Sequence, residues 1–431
     1  MSDGELTQGR IFRFWLPLAA TWLMMAVEGP FLAAVIARLA EPTYNLAAYG
    51  VAFSLALVAE APVIMLMSAA TALARNRLSY LRLRSFTHAL NAGVTLAMGA
   101  VLLPPVFTAI ARELIGLPPE VASRTHIALL ILLPWPAAIG IRRLYQGVMI
   151  RNGLTRRVAY GTVVRLAAMF GTAIALSRCS DIEGASVGAA ALTIGVVSEA
   201  VASRVMAAGA LRATMSTDGE ATGAAASWLA LTRFYYPLAL TILLSLGIHP
   251  VVTLFVGNSR MALESLAVLP VINALVFIFR SLGLAYQEVV IALIGDEYEG
   301  YRALRHFGVF LGLAVVFGLS VIAWTPLAEV WFSGISGLPR ELSAFALTPT
   351  RILVLIPGLS ALLSFQRAVM VVRGTTKSIT WATIIEVVGT IVVMWVAISI
   401  FDVIGAIAAA SALLVGRIGA NVYLAPAMKS T

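Results

Sequence analysis

Twelve apolar runs, each long enough to cross a bilayer, fill almost the whole chain. In hydrocarbon every backbone N–H and C=O needs a partner from the protein itself, so such runs fold as helices. They lie near residues 11 to 37, 46 to 72, 87 to 111, 125 to 149, 158 to 178 and 184 to 206. Six more follow near 228 to 254, 264 to 292, 303 to 325, 345 to 371, 378 to 401 and 403 to 425. At ~20 residues per span plus connections, the 431 residues hold these helices and no separate catalytic domain. With 60% of residues hydrophobic and 12% charged, a soluble domain is excluded. The expected fold is an all-α membrane protein of twelve transmembrane helices.

Alternate connections carry the basic residues: Arg75, Arg77, Arg82 and Arg84; Arg151, Arg156 and Arg157; Arg302 and Arg305; Arg373 and Lys377. The positive-inside rule therefore puts both termini in the cytoplasm of a multi-pass protein, expected in a bacterial inner membrane. In that setting the net charge of +9 reports orientation and contact with the lipid bilayer, not a nucleic-acid partner. The single cysteine, Cys179, allows no intrachain disulfide and no cysteine-based metal site. The first ten residues carry two acids and no basic segment of the kind that opens a cleavable signal peptide.

The chain repeats itself. Arg13-Phe14-x-x-Pro17-Leu18-Ala19-x-Thr21 recurs as Arg233-Phe234-x-x-Pro237-Leu238-Ala239-x-Thr241, an offset of 220 that also pairs Pro30 with Pro250, Leu46-Ala47 with Leu266-Ala267 and Ala72-Leu73 with Ala292-Leu293. An offset of 221 then pairs Gly153 with Gly374, Thr162 with Thr383, Gly184-Ala185 with Gly405-Ala406 and Gly195 with Gly416. Two homologous six-helix lobes are expected, 1–206 and 228–431, joined by a flexible cytoplasmic linker at 207–227. Six spans return the chain to its starting side, so the repeats are parallel, with a pseudo-twofold axis along the membrane normal and a cleft between them.

Three islands carry a resemblance: Leu46-Ala47-Ala48-Tyr49-Gly50-Val51-Ala52-Phe53-Ser54-Leu55, Tyr236-Pro237-Leu238-Ala239-Leu240, and His249-Pro250-Val251-Val252-Thr253-Leu254-Phe255-Val256, with a weaker echo at Pro349-x-Arg351-Ile352 and Pro357. In these the chain resembles the progressive ankylosis protein family, which is similar to the multidrug and toxic compound extrusion (MATE) and polysaccharide flippase group. The resemblance implies a twelve-span, two-lobed secondary exporter. It implies anions such as pyrophosphate, citrate or nucleotide phosphates in the ankylosis branch, and organic cations in the drug-extrusion branch. Some members of the ankylosis family carry a long charged C-terminal tail, whereas this chain ends Met428-Lys429-Ser430-Thr431, so regulation through a tail is not expected.

Ionisable residues inside spans are the candidate site, because each costs ~2.5 to 3.5 kcal/mol at the centre of a spanning helix unless it has a partner, a wet cavity or a function. They are Glu28, Glu60, Arg142, Arg143, Arg165, Glu199, His249, Arg280, Glu288, Arg367, Glu386 and Arg417. Of these, Arg142, Glu288 and Arg367 fit snorkelling towards an interface. Glu60 and Arg280 are equivalent at offset 220, and Arg165 and Glu386 at 221, with opposite signs in each couple. Asn273, Arg280 and Gln287 recur every seven residues, a polar stripe near one helix face. Thr383, Glu386 and Thr390 share a face, as do Thr162, Arg165 and Thr172. These charges either serve transport or pair within their own lobe to hold helices together. The expected substrate-binding set is Arg280, Asn273, Gln287 and Glu60; the expected coupling or gating set is Glu28, Arg165, Glu199, His249 and Glu386. His249 suits proton coupling or a bond to a carbonyl freed by Pro250. Prolines in or near the spans, Pro17, Pro30, Pro62, Pro134, Pro136, Pro237, Pro250, Pro270 and Pro357, can kink them as alternating access would need, or simply reflect that proline is commoner in membrane helices.

No H-E-x-x-H, G-x-S-x-G, P-loop or Asp-rich pair occurs, and the four histidines are scattered, so neither an enzyme nor a cofactor or metal site is expected. The two-lobed repeat favours a rocking transporter over a channel. The expected function is secondary export of small organic or phosphate-containing anions by alternating access, coupled to a proton or sodium ion, with no oligomer required. The alternatives are proton- or sodium-coupled efflux of organic cations, or a lipid-linked precursor flippase.

Overall fold

The computed structural model describes residues 6–152, 154–179, 181–219, 225, 227–295, 298–373 and 376–429. Gly153 and Gly374, one of the repeat pairs, lie outside them, as do residues 220–224 and 226 of the expected linker. In chain order the helices are α1 (Gln8–Ala26), α2 (Glu28–Ala37), α3 (Pro42–Glu60), α4 (Leu66–Leu73), α5 (Arg77–Val101), α6 (Pro104–Thr108), α7 (Pro119–Ile131), α8 (Trp135–Arg151), α9 (Thr155–Cys179), α10 (Gly184–Met206) and α11 (Ala208–Ser216). They continue with α12 (Trp228–Leu246), α13 (Ile248–Gly257), α14 (Ala262–Leu284), α15 (Tyr286–Leu293), α16 (Tyr301–Trp324), α17 (Leu327–Glu329), α18 (Arg340–Leu353), α19 (Ile356–Val372), α20 (Thr376–Ser399) and α21 (Gly405–Lys429). Among the described residues there is no strand beyond an isolated bridge between Arg260 and Ile404. Among the described residues ten helical segments are long and apolar enough to cross a membrane, and an eleventh if the bent pair Arg77–Val101 and Pro104–Leu114 is one span. The fold is that of a multi-pass helical membrane protein.

Several expected spans are two helices end to end, and proline explains most of the breaks. A proline lacks the N–H that would bond four residues back, so the ladder opens on its N-terminal side. Pro30 follows the break at Val27, Pro62 lies in the short 3-10 turn Ala61–Val63, and Pro134 and Pro136 flank the start of α8. The break between α14 and α15 has no proline. There Gly283 lets the backbone of α19 approach, since a Cβ on it would stand 3.0 Å from Ala361. Pro270, by contrast, sits inside unbroken α14. The first half of the expected linker is also ordered: α11 buries Ala210, Leu211 and Thr214, and the Arg77 N–H bonds the Thr217 carbonyl at 3.1 Å. Apolar side chains on one face of a nine-residue stretch are enough to make it a helix once it has a surface to cover.

By contacts the chain forms two compact units, one of residues 1–38 with 255–431 and one of residues 39–254. These cut across the sequence halves 1–206 and 228–431. In the first unit α1 packs on α14, α15 and α16, where Ile11, Trp15 and Ala19 join a core with Tyr286, Val289, Phe307 and Leu311. In the second, α12 packs on the 61–63 turn, α3 and α5, with Tyr235 against Phe86. Each repeat therefore gives its first span to the unit built from the rest of the other.

Within each unit the repeat is visible in detail. Glu41 and Met261, 220 residues apart, both hold left-handed backbone (φ 50° and 55°) just before α3 and α14. The Ala185 N–H at the start of α10 bonds Asn45 Oδ1 at 3.1 Å, and the Ala406 N–H at the start of α21 bonds Ser265 Oγ at 3.0 Å. Each satisfies a donor that a helix N-terminus would otherwise leave open. The broken spans are treated alike too. Trp15 Nε1 donates to the Leu282 carbonyl at 3.1 Å, and Tyr235 Oη to the Pro62 carbonyl at 2.5 Å. Glycine brings the last two helices of each unit together: a Cβ on Gly195 would lie 3.2 Å from the Arg165 carbonyl, and one on Gly416 would lie 2.6 Å from that of Glu386.

Candidate functional site

The close approach at Gly416 puts Glu386 of α20 beside Arg417 of α21. Arg417 Nε and Nη2 both donate to Glu386 Oε1, at 2.8 and 2.7 Å, and Nη1 donates to Ser360 Oγ of α19 at 2.7 Å. Two more guanidinium groups share this field. Arg367 of α19 donates Nη2 to Thr383 Oγ1 at 3.2 Å, and Arg280 of α14 is electrostatically coupled to Arg417, Glu386 and Arg367. Among the described residues, the buried Nε atoms of Arg280 and Arg367 have no hydrogen-bond partner. The cluster therefore sets three guanidinium groups against one carboxylate, and two of the three keep a donor in hand.

The other unit builds a counterpart with its signs rearranged. Glu199 of α10 is fully buried and takes Arg142 Nη1 on Oε2, Gln146 Nε2 on Oε1 at 3.1 Å, and Arg165 Nε 3.6 Å from Oε2. Gly161, whose Cβ would stand 3.4 Å from Glu199 Cγ, leaves room for that side chain. Arg143 points Nη1 at Met67 Sδ (3.6 Å) and is electrostatically coupled to Arg142, Glu60, Glu199 and Arg165. Here three guanidinium groups meet two carboxylates, and the central one is held on both oxygens.

Of the residues singled out from sequence, Arg280 and Glu386 thus come together in one unit, and Glu60, Arg165 and Glu199 in the other. Arg165 and Glu386 are both half-buried, and each is ion-paired within its own unit. The stripe is divided: Asn273 is exposed on α14, the helix that carries Arg280, while Gln287 lies beyond the break at Ala285, on α15. Glu28 is half-buried in the first turn of α2, a place that suits a carboxylate against the helix dipole. His249 is exposed, and its carbonyl accepts from Thr253 Oγ1 at 3.1 Å. Among the described residues no three His, Cys, Asp or Glu side chains gather as a metal site would require.

Sequence reasoning set aside two residues that belong to these clusters. Arg142 is buried against Glu199, not snorkelling, and Arg367 sits among Glu386, Arg417 and Thr383. The missed signal is helical spacing. Arg142 and Gln146 are four residues apart on α8 and present donors to one acid, and Thr383 and Glu386, three apart on α20, present acceptors to α19 and α21.

No model of a known protein family matches the sequence, and no curated protein matches it either. Solved structures do match in shape. An inward-facing multidrug resistance MATE family transporter of the MOP superfamily superposes with a TM-score of 0.72 at 14% identity, over 95% of this chain and 94% of that one. The lipid II flippase MurJ, in an inward closed conformation, gives 0.73 at 16% identity over 96% of this chain and 87% of its own. A MOP superfamily transporter from Pyrococcus furiosus, described as having a binding pocket of reverse polarity that suggests a different function, gives 0.62 at 16% identity over 99% and 96%. The chain has the fold shared by the MATE and MOP superfamily transporters.

Proposed function

We propose that the protein is a secondary active transporter that exports small organic or phosphate-containing anions by alternating access, in the manner the ankylosis-like sequence islands imply. The observation that carries this reading is the excess of guanidinium charge around Glu386, with Arg280 holding an unfilled donor. An organic cation would be repelled there, whereas an oxyanion completes both the charge and the hydrogen bonds. Arg280 is the principal anion contact, assisted by Asn273 and Gln287. Glu60, its counterpart in the repeat, is the gating or co-ion partner, and Glu28, Arg165, Glu199, His249 and Glu386 form the coupling set. The coupling ion is a proton or sodium, and the membrane a bacterial inner membrane with both termini cytoplasmic.

The flippase reading keeps one specific support, the MurJ-like shape over nearly the whole chain. A lipid-linked diphosphate would offer the same oxygens to the same arginines. The deciding experiment is transport in proteoliposomes of pyrophosphate, citrate and ATP against cationic dyes, under proton and sodium gradients. Anion transport that is lost in Arg280→Gln with the fold retained is expected. Accumulation of dyes without anions overturns the reading, and scrambling of a lipid-linked diphosphate without soluble anion transport moves the protein to the flippases.

A further inference from the structure

Arg367 is the residue whose situation the reading above does not explain. Its equivalent in the first repeat, 221 residues earlier, is Gln146, a neutral amide that completes the shell of Glu199. In the second repeat the same helix position carries a full positive charge. Thr383 takes one of its donors, at 3.2 Å, and its buried Nε has no hydrogen-bond partner among the described residues. Glu386 acts on it electrostatically, and Oε1 of that carboxylate is held by Arg417. Arg280 feels the like charge of Arg367, and among the described residues the one carboxylate acting on both, Glu386, is shared with a third arginine. Such an arrangement is costly in a low dielectric unless an anion visits it.

We propose that Arg367 is a second anion-contacting residue, acting with Arg280, and that the pair selects oxyanions bearing two or more negative charges over monoanions. Arg417, with its fork occupied by Glu386 and Ser360, fixes the frame and does not contact substrate. Thr383 is a positioning residue that holds the Arg367 guanidinium. The arginine fork suits phosphate and carboxylate oxygens alike, so the class is defined by charge and by two oxygen-bearing ends. The inference rests on the reading of Arg280 as an anion contact.

The test is binding by titration calorimetry to the full chain in nanodiscs, with pyrophosphate, succinate and acetate as probes at one ionic strength. Arg367→Gln is expected to weaken pyrophosphate and succinate roughly 10- to 100-fold, the scale of one charged hydrogen bond, and to change acetate little. Arg367→Lys is expected to keep part of the dianion affinity, and Thr383→Val to lose part of it. A loss confined to pyrophosphate, or to succinate, supports the site and assigns it to phosphate or to carboxylate. Equal weakening of acetate and of both dianions in Arg367→Gln, or no change in any of the three probes, overturns the proposal. Should Arg367→Gln not fold, unaltered pyrophosphate-to-acetate and succinate-to-acetate ratios in both Arg367→Lys and Thr383→Val overturn it. Loss of binding in Arg280→Gln with wild-type binding in Arg367→Gln sinks this inference alone, whereas wild-type binding in a folded Arg280→Gln sinks the Arg280 reading beneath it.

Discussion

Glu386 receives two donors of Arg417 on a single oxygen, at 2.7 and 2.8 Å, so this pair is a fixed element of the second-repeat cluster and Arg280 and Arg367 are its open members. Removing the carboxylate leaves three guanidinium groups with no counter-charge in their group. Glu386→Ala is expected to destabilise by about 3 to 5 kcal/mol, the scale of an ion pair broken away from water. Thermal unfolding in detergent measures it. The double variant Glu386→Gln with Arg417→Gln is expected to recover part of the loss, because the guanidinium that lost its ion pair is removed too, while Arg280 and Arg367 remain.

Glu199 is the stronger test of a structural pair. Its side chain is 1% exposed and it serves Arg142, Arg165 and Gln146 together. Glu199→Ala is therefore expected to lower the melting temperature more than Glu386→Ala, whose side chain is 19% exposed. An equal or smaller shift would show that burial does not set the order.

The two glycines that bring the last helices together differ in tolerance. A Cβ at 416 meets Glu386 carbonyl oxygen at 2.6 Å, whereas one at 195 meets its nearest atom, Met169 Cβ, at 3.0 Å. Gly416→Ala is expected to cost about 1 to 3 kcal/mol by forcing the helices apart, and Gly195→Ala less. The same melting assay ranks them.

Trp15 and Tyr235 each bond a carbonyl at or near the break in a broken span. Trp15→Phe and Tyr235→Phe keep the ring and remove the donor. Each is expected to cost about 0.5 to 1.5 kcal/mol in stability, with transport rate altered more than substrate affinity, since the bond sits at a bend and not at a charge. Initial rates across substrate concentration separate the two effects.

Topology is checked at Ser216, exposed at the end of α11. With the single native cysteine replaced, Cys179→Ser, a cysteine introduced by Ser216→Cys is expected to react with an impermeant maleimide only from the cytoplasmic side. Labelling from outside would invert the orientation.

Much of the fold was legible because a membrane span announces itself by length and apolarity, and because proline marks where a ladder must open. The break at Ala285 was not, since no proline marks it and the close approach of Gly283 to Ala361 of α19 beside it joins distant parts of the sequence. Repeat arithmetic found the positions of opposite charge at 60 and 280 and at 165 and 386. It could not find their partners, because Glu199 and Arg417 have no charged equivalents, facing Ala420 and Val196 in the alignment. Arg142 and Arg367 looked free to snorkel for the same reason: position along a helix says nothing of which helix lies opposite.

The trade of first spans between the units sets an order on synthesis. α1 and α2 leave the ribosome before any other helix, yet the surfaces they cover, on α14, α15 and α16, are not complete until translation has passed residue 324. The earliest span must stay in lipid with its packing face uncovered while the five further spans of its own repeat are made, and it is seated only when the second repeat arrives. A chain cut between the repeats could be rebuilt from its two pieces only by threading each first span into the other's bundle. A single six-helix ancestor with this packing would have been whole only as an interlocked pair.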